Sequence, residues 1–437
     1  MSTLFRCAVM DTPTDPFTGG ALRSEQDCGV LVEQGIIGAR GPFAEVRSQH
    51  PGAEVLDLRE GIVLPGLVDT HVHFPQVRVI GGLGMPLLDW LDQCALPEEV
   101  RMGEVEYARG VARDFVTGLV DAGTTTALVF GSHFAPAVDV MFEAADVWGL
   151  RVTTGLVTSD RILPEPLLTT PERAYRESRE LASRWHGKGR LRYAVTPRFS
   201  LSASDAILES CGQTLTETPG ALFTSHVNEN SAEIAEVAAL FDGASYVGTY
   251  DEHGLVTRQT VLAHDVHPTD AELAVLADRD ASVAHCPTSN SALGSGLFPL
   301  RRHVEAGVRV SMGSDVGAGT GFSMLKEGLQ AYFVQRLLGD EGLPLTSAHL
   351  LWLCTAAGAD ALGLGGEVGD LSVGKQFDAI WLLPEPGDPL AVGLGNAKSP
   401  EDALSKVFAL GTTSDIGGVW VGGDQIAAGR WRRPPLA

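Results

Sequence analysis

The chain has 437 residues, 44% of them hydrophobic, which allows one large domain with an accessory part and a sizeable core. Its formal net charge of −23 argues against a basic nucleic-acid surface, because phosphate contacts need clustered Lys and Arg. No run is apolar and long enough to span a bilayer, the opening "MSTLFRCAVMDTPTDP" lacks the apolar stretch of a secretory leader, and the six cysteines form no CxxC pair; a cytoplasmic protein without membrane spans, disulfide framework or thiolate metal site is expected.

Residues 1–64 read as short strands, "CAVM", "CGVLVEQGIIGARG" and "AEVLDLREGIVLP", punctuated by Gly and Pro as in a small β unit. Residues 65–364 behave differently. The β-type runs "LVDTHVH", "TTTALVF", "RVTTGLV", "RYAVTPRF", "ALFTSHV", "TVLAHDV", "ASVAHCP" and "RVSMGSD" are separated by amphipathic stretches such as "GEVEYARGVARDFVTGLVDAG", "PERAYRESRELASRWH" and "HPTDAELAVLADR". Eight strands with helices between them, and "FSMLKEGLQAYFVQRLL" after the eighth, predict an α/β fold of the (β/α)8 TIM-barrel type. The runner-up is an open doubly wound sheet, but no strand leads directly into G-x-G-x-x-G, and "GSDVGAGTG" lacks the P-loop lysine. Residues 365–437 return to β character in "GDLSVGKQFDAIWLL", "SKVFALGT" and "GGVWVGGDQIAAGRW". The two β-rich ends are expected to pair into one small β-sandwich domain, since chain termini often lie close together.

The stretch "LPGLVDTHVHFPQ" (64–76) ends a strand with two imidazoles at i and i+2, a spacing that points both rings to one face. In a barrel the chemistry sits at the C-terminal ends of the strands. Applied along the chain, that rule collects His71 and His73 from strand one, Arg198 and Phe199 from strand four, and His226 and Glu229 from strand five. It adds His264 from strand six, His285 from strand seven and Asp315 from strand eight. Singly, each has an ordinary structural explanation: a satisfied rim histidine, an Asx turn or cap at Asp315, a first-turn glutamate at Glu229. Together they gather at one mouth. Three neutral imidazoles and one carboxylate suit a divalent ion with room left for water, and such an ion lowers the pKa of that water towards neutrality. A Glu and a His that are not ligands can then carry protons. The chemistry expected is metal-assisted hydrolysis. His133, His186, His253, His303 and His349 fall in helices or loops and receive no role; His267 reads as a loop or helix-start residue, and His285 receives no role either.

"PGLVDTHVHFPQ", "LLDWL", "TPRFSLS", "SHVNEN", "VLAHDVH", "SVAHCPTSNSALGSGLF" and "GSDVGAGTGFSMLKE" together resemble the guanine deaminase family, on the nucleobase deaminase branch of the amidohydrolase superfamily. The "HxH" and "HCP" elements belong to the whole superfamily, whereas "PRFS", "LLDWL" and "VGAGT-FSML" are narrower. The resemblance implies one divalent metal ion per chain, usually zinc, held by His71, His73, His226 and Asp315. It implies Glu229, His264 and Asp315 as catalytic groups, with metal-bound hydroxide attacking C2 of guanine to give xanthine and ammonia. Gln76, Trp90, Arg198 and Phe199 are its implied substrate-binding residues, the arginine as donor to a 6-oxo group and the phenylalanine as a stacking surface. It also implies a homodimer acting on a small purine. Relatives on the same branch act on 8-oxoguanine or pterins with the same metal residues, so another amino-heterocycle is the alternative substrate. A barrel that binds without catalysis is the third reading.

Overall fold

The computed structural model describes residues 2–427; residues 428–431, the end of the "GGVWVGGDQIAAGRW" run, lie outside the described residues. The strands in chain order are β1 (Ser2–Asp11), β2 (Arg23–Glu33), β3 (Ile36–Pro42), β4 (Glu54–Pro65), β5 (Leu67–His73), β6 (Thr124–Ser132), β7 (Arg151–Thr158), β8 (Leu191–Pro197), β9 (Leu222–Val227), β10 (Thr260–His264), β11 (Ser282–His285), β12 (Arg309–Met312), β13 (Ala379–Leu382), β14 (Ile416–Val421) and β15 (Asp424–Ala427).

Strands β5 to β12 form one parallel sheet in sequential order. Almost all of their residues are buried, which is why they show no regular alternation of apolar and polar residues. The sheet curls until its first strand meets its last. Thr70 Oγ1 donates to the Met312 carbonyl at 2.9 Å, and the Asp315 amide donates to the His71 carbonyl at 2.8 Å. The expected (β/α)8 barrel results. Its helices carry the predicted apolar stripe: the helix Val105–Asp121 buries Ala108, Val111, Ala112, Phe115, Val116, Leu119 and Val120, spaced to face the barrel. The helix Asp270–Asp278 starts at a reciprocal cap between Thr269 and Glu272.

The chain ends meet in a second sheet of seven strands, ordered β15-β14-β13-β4-β1-β2-β3. Strand β4 is central, parallel to β1 and antiparallel to β13, so the N- and C-terminal segments share one hydrogen-bonded layer. Phe5 stacks on Phe377 with ring centroids 4.4 Å apart, joining the two segments in one apolar cluster. One reading from the sequence is corrected. "SKVFALGT" is not a strand; it lies in the helix Pro400–Leu410. Pro400 takes the first helical position, the Ser399 side chain caps the Asp402 amide, and Ala403, Leu404, Val407 and Phe408 form the buried face. These local signals outweigh the β-branched valine.

Barrel and sheet are tied by a buried ion pair. Arg151, the first residue of β7, donates to Asp378 at 2.7 and 3.1 Å and to Gln376 at 2.6 Å. Removing one partner of such a pair leaves an uncompensated buried charge, so Arg151→Met is expected to lower unfolding stability by about 3–5 kcal/mol. Urea denaturation measures this; a change under about 1 kcal/mol would contradict it. No helix among the described residues is long and apolar enough to cross a membrane.

Candidate active site and metal centre

The two histidines of "HVH" do share a face. His71 and His73, at the end of β5, place their Nε2 atoms 3.1 Å apart. His226, at the end of β9, brings its Nε2 to 3.2 Å from that of His73. Asp315, three residues past β12, places Oδ1 3.4 Å from His71 Nε2 and 3.1 Å from His73 Nε2. Phe130 packs under the rings, with its centroid 4.7 Å from His73 and 4.6 Å from His226. His226 Nδ1 donates to the Arg198 carbonyl at 2.6 Å, which leaves the lone pair on Nε2 facing the cluster.

These distances test whether a metal fits. Lone pairs of neutral rings repel at about 3 Å unless a proton or a cation lies between them. Ligand atoms about 2.0–2.1 Å from a common tetrahedral ion stand roughly 3.3–3.4 Å apart, which is close to the spacing seen. Charge agrees with geometry. Burial, assisted by neighbouring rings, holds His226 well below the ordinary histidine range and His71 down to about 4, so both rings are neutral. Burial pushes the Asp315 carboxyl up, but hydrogen bonds and charge from His71 and His73 win and hold it well below the usual carboxylate range. His71, His226 and His264 form a second tight group, so His264 stands close to the same centre.

Backbone strain concentrates around this mouth. Asn228, His264, Asp265 and Asp315 all adopt positive φ, at 48°, 75°, 44° and 49°. Specific bonds pin these turns. The Asp265 carboxylate accepts from Asn228 Nδ2 at 2.9 Å and from His303 Nε2 at 2.9 Å. Asp69 accepts from the Ser314 amide at 3.0 Å and its hydroxyl at 2.5 Å, fixing the turn that presents Asp315. His264 Nδ1 lies 2.9 Å from Asn290 Oδ1 and donates to it, so Nε2 is free to accept. That Nε2 lies 3.5 Å from Glu229 Oε2 and 3.9 Å from Asp315 Oδ2. Burial raises the Glu229 carboxyl. Burial works to lower His264, but the Glu229 and Asp315 carboxylates prevail and raise it. This Glu–His pair can therefore hold and exchange a proton beside the cluster.

One cavity opens onto this pair. His73, His226, Glu229, His264 and Asp315 line it, with Gln76, Trp90, Arg198 and Phe199. Of the ten residues given a role from the sequence, only His71 is not in its lining, and His71 belongs to the adjoining His–Asp cluster. Leu87, Leu91 and Leu293 complete an apolar wall. Gln76 lies in the 3-10 turn Phe74–Val79, and Trp90 ends the short helix Leu87–Trp90, both in the long segment that follows β5. His285 is buried but lines no part of the cavity; it stacks on Phe298 at 4.2 Å.

Two buried residues here were missed. Glu99, in the helix Leu96–Arg101, accepts from Arg198 Nη2 at 2.8 Å, from Arg198 Nε at 3.3 Å and from Gln76 Nε2 at 2.8 Å. His133 Nδ1 stands 3.5 Å from Glu99 Oε2. The strand-end rule, applied to strand two, would have reached His133 just beyond "ALVFGS". Nothing in "LPEEVR" separates Glu99 from its neighbour Glu98.

The barrel and its polar mouth define a hydrolase class, and the chain belongs to the amidohydrolase family, whose model matches residues 62–426. A bacterial imidazolonepropionase-like composite domain also matches residues 29–53. Within the family, similar proteins include guanine deaminases. A probable guanine deaminase of Deinococcus radiodurans is 58% identical over 97% of this chain and 98% of its own. The solved E. coli guanine deaminase superposes with a TM-score of 0.93 at 36% identity, covering 98% of this chain and 99% of the other. The guanine deaminase of C. acetobutylicum, solved with guanine in its active site, gives 0.90 at 25% identity, covering 98% and 100%. The chain is a hydrolytic enzyme of the aminohydrolase type, and its His–Asp cluster suits a divalent metal.

Proposed function

We propose that the chain hydrolyses guanine at C2, releasing ammonia and leaving xanthine, with one zinc ion per chain. The observation that carries this reading is the wall of the cavity that also holds the Glu229–His264 pair, where the Arg198 guanidinium and the Gln76 amide stand side by side on Glu99. A guanidinium donor suits the C6 carbonyl, an amide suits the ring edge, and the Phe199 and Trp90 rings suit a flat base.

His71, His73, His226 and Asp315 would hold the ion, whose chemistry when bound is to acidify water and yield a nucleophile at neutral pH. The protein's own groups do the rest. Asp315 and His264 orient the attacking water, and His264 Nε2 takes its proton as oxygen bonds to C2. Glu229, whose carboxyl burial raises, gives a proton to the adjacent ring nitrogen. The remaining hydroxyl proton of the attacking oxygen then passes through Glu229 to the exocyclic amine, so that the C2–N bond breaks as the C2 carbonyl forms and neutral ammonia leaves, and His264 returns its proton to Glu229. Arg198, Gln76 and Phe199 hold the ring in register, and the leucine wall limits bulk water. The family resemblance supports a cytoplasmic homodimer; sedimentation tests the dimer.

The test is ammonia release across guanine, 8-oxoguanine, isoguanine, adenine, cytosine and a pterin. Guanine is expected to react. Adenine is expected to be inert, because it presents an amine to Arg198 and carries that amine on the wrong carbon. Arg198→Lys keeps the charge but loses the planar fork. It is expected to lower kcat/KM for guanine about 10- to 100-fold, in line with the roughly 1.5–3 kcal/mol of a charged hydrogen bond. Release from a pterin or 8-oxoguanine, with guanine untouched, would overturn the substrate and leave the metal chemistry standing.

A further inference from the structure

A carboxylate only accepts hydrogen bonds, so whatever faces it must donate. Glu99 is buried, and three donors converge on it: Gln76 Nε2, Arg198 Nη2 and Arg198 Nε. Two orientations follow. The Gln76 amide must turn its NH2 towards Glu99, which sends Oε1 the other way. That oxygen is buried with no hydrogen-bond partner among the described residues, and it lies against Gly317, where an added Cβ would collide with it. A buried acceptor without a partner is costly, and a ligand N–H would recover that cost. Arg198, in turn, commits Nε and Nη2 to Glu99, which leaves Nη1 as its uncommitted end among the described residues. Glu99 stays ionised to do this: burial raises it, but Arg198, His133 and Gln76 prevail and hold it down at about 2.

We propose that Glu99 is a positioning residue that sets the hydrogen-bond polarity of the cavity wall, making Gln76 an acceptor and Arg198 a one-ended donor, side by side. Resting on the guanine reading above, this wall is complementary to an N–H next to a C=O, the lactam edge formed by N1 and C6 of guanine. It opposes the reversed edge, a bare ring nitrogen next to an amine. Glu99 thereby selects the oxo over the amino tautomeric pattern without touching the substrate. It also belongs to the segment that carries Gln76 and Trp90, while Arg198 belongs to the barrel, so the same carboxylate seats that segment on the barrel mouth.

The discriminating probe is 2,6-diaminopurine, which keeps the amine on C2 but reverses the N1–C6 edge. It is measured as a substrate or as a competitive inhibitor, beside guanine. In Glu99→Gln a single amide oxygen faces three donors, so neither the Gln76 orientation nor the arginine fork is enforced. We expect KM for guanine to rise at least 10-fold while kcat falls less than 3-fold. The preference for guanine over 2,6-diaminopurine is expected to shrink at least 10-fold, at unchanged metal content. Glu99→Asp keeps an acceptor-only group and is expected to retain the preference at weakened affinity; it serves also if Glu99→Gln does not fold. An equal loss for both purines, a fall in kcat at constant KM, or loss of the preference in Glu99→Asp would overturn the inference. Guanine turnover by the wild type reports separately on the underlying reading. If another 2-amino-oxo heterocycle is turned over instead, that reading falls, and the same comparison with its diamino counterpart decides the role of Glu99.

Discussion

Asp315→Ala should abolish turnover and empty the metal centre together. Asp315 is the sole carboxylate in the tight group with His71 and His73, and it lies 3.1–3.4 Å from both rings. Without it, three imidazoles would have to hold a dication with no carboxylate among its ligands. Elemental analysis should show metal well below one equivalent, with ammonia release from guanine below detection. Prolonged chelation of the wild type should have the same effect reversibly, with zinc restoring activity. Full activity in demonstrably metal-free protein would contradict the assignment.

Glu229→Gln should do the opposite to the metal and nearly the same to the rate. Glu229 does not belong to either of the tight groups of ligand atoms; it accepts from Ser295 Oγ at 3.1 Å and faces His264 at 3.5 Å. The amide keeps the shape and loses the transferable proton. Turnover should fall on the order of 10²–10⁴-fold, the range for a general acid–base group, at close to one metal per chain. Metal loss in this variant would mean that a ligand had been mistaken for a proton carrier.

The barrel was legible because its strands are buried on both faces, so each left a short β-type run without regular polar alternation between helical repeats. The cluster was legible for a related reason. The strand-end rule converts sequence positions into places on one rim, and it brought His71, His226, His264 and Asp315 together from separate strands. What it does not reach is the segment between β5 and the helix Val105–Asp121. Glu99 is buried there by contacts with Arg198 and Gln76, which are distant in sequence, and a charged residue in a first helical turn otherwise reads as a solvated one. The helix Pro400–Leu410 was missed for a local reason, because the cap at Ser399 and Pro400 lies upstream of the run that looked like a strand.

Two elements of the cluster sit on opposite sides of the junction where the sheet's first and last strands meet. Asp69 reaches across it to Ser314, 245 residues further along the chain, and the flanking residues His71 and Asp315 meet across the same line. Barrel closure therefore also brings the two halves of the His–Asp cluster together. No shorter stretch of this chain contains the complete set, and a contact this distant in sequence forms late because its loop entropy must first be overcome. An ion held across that line would bind the closed form and not the open one, so its free concentration would add to the stability of the junction by mass action. On the metal reading, supply of the ion would then govern how long the enzyme survives as well as how fast it works.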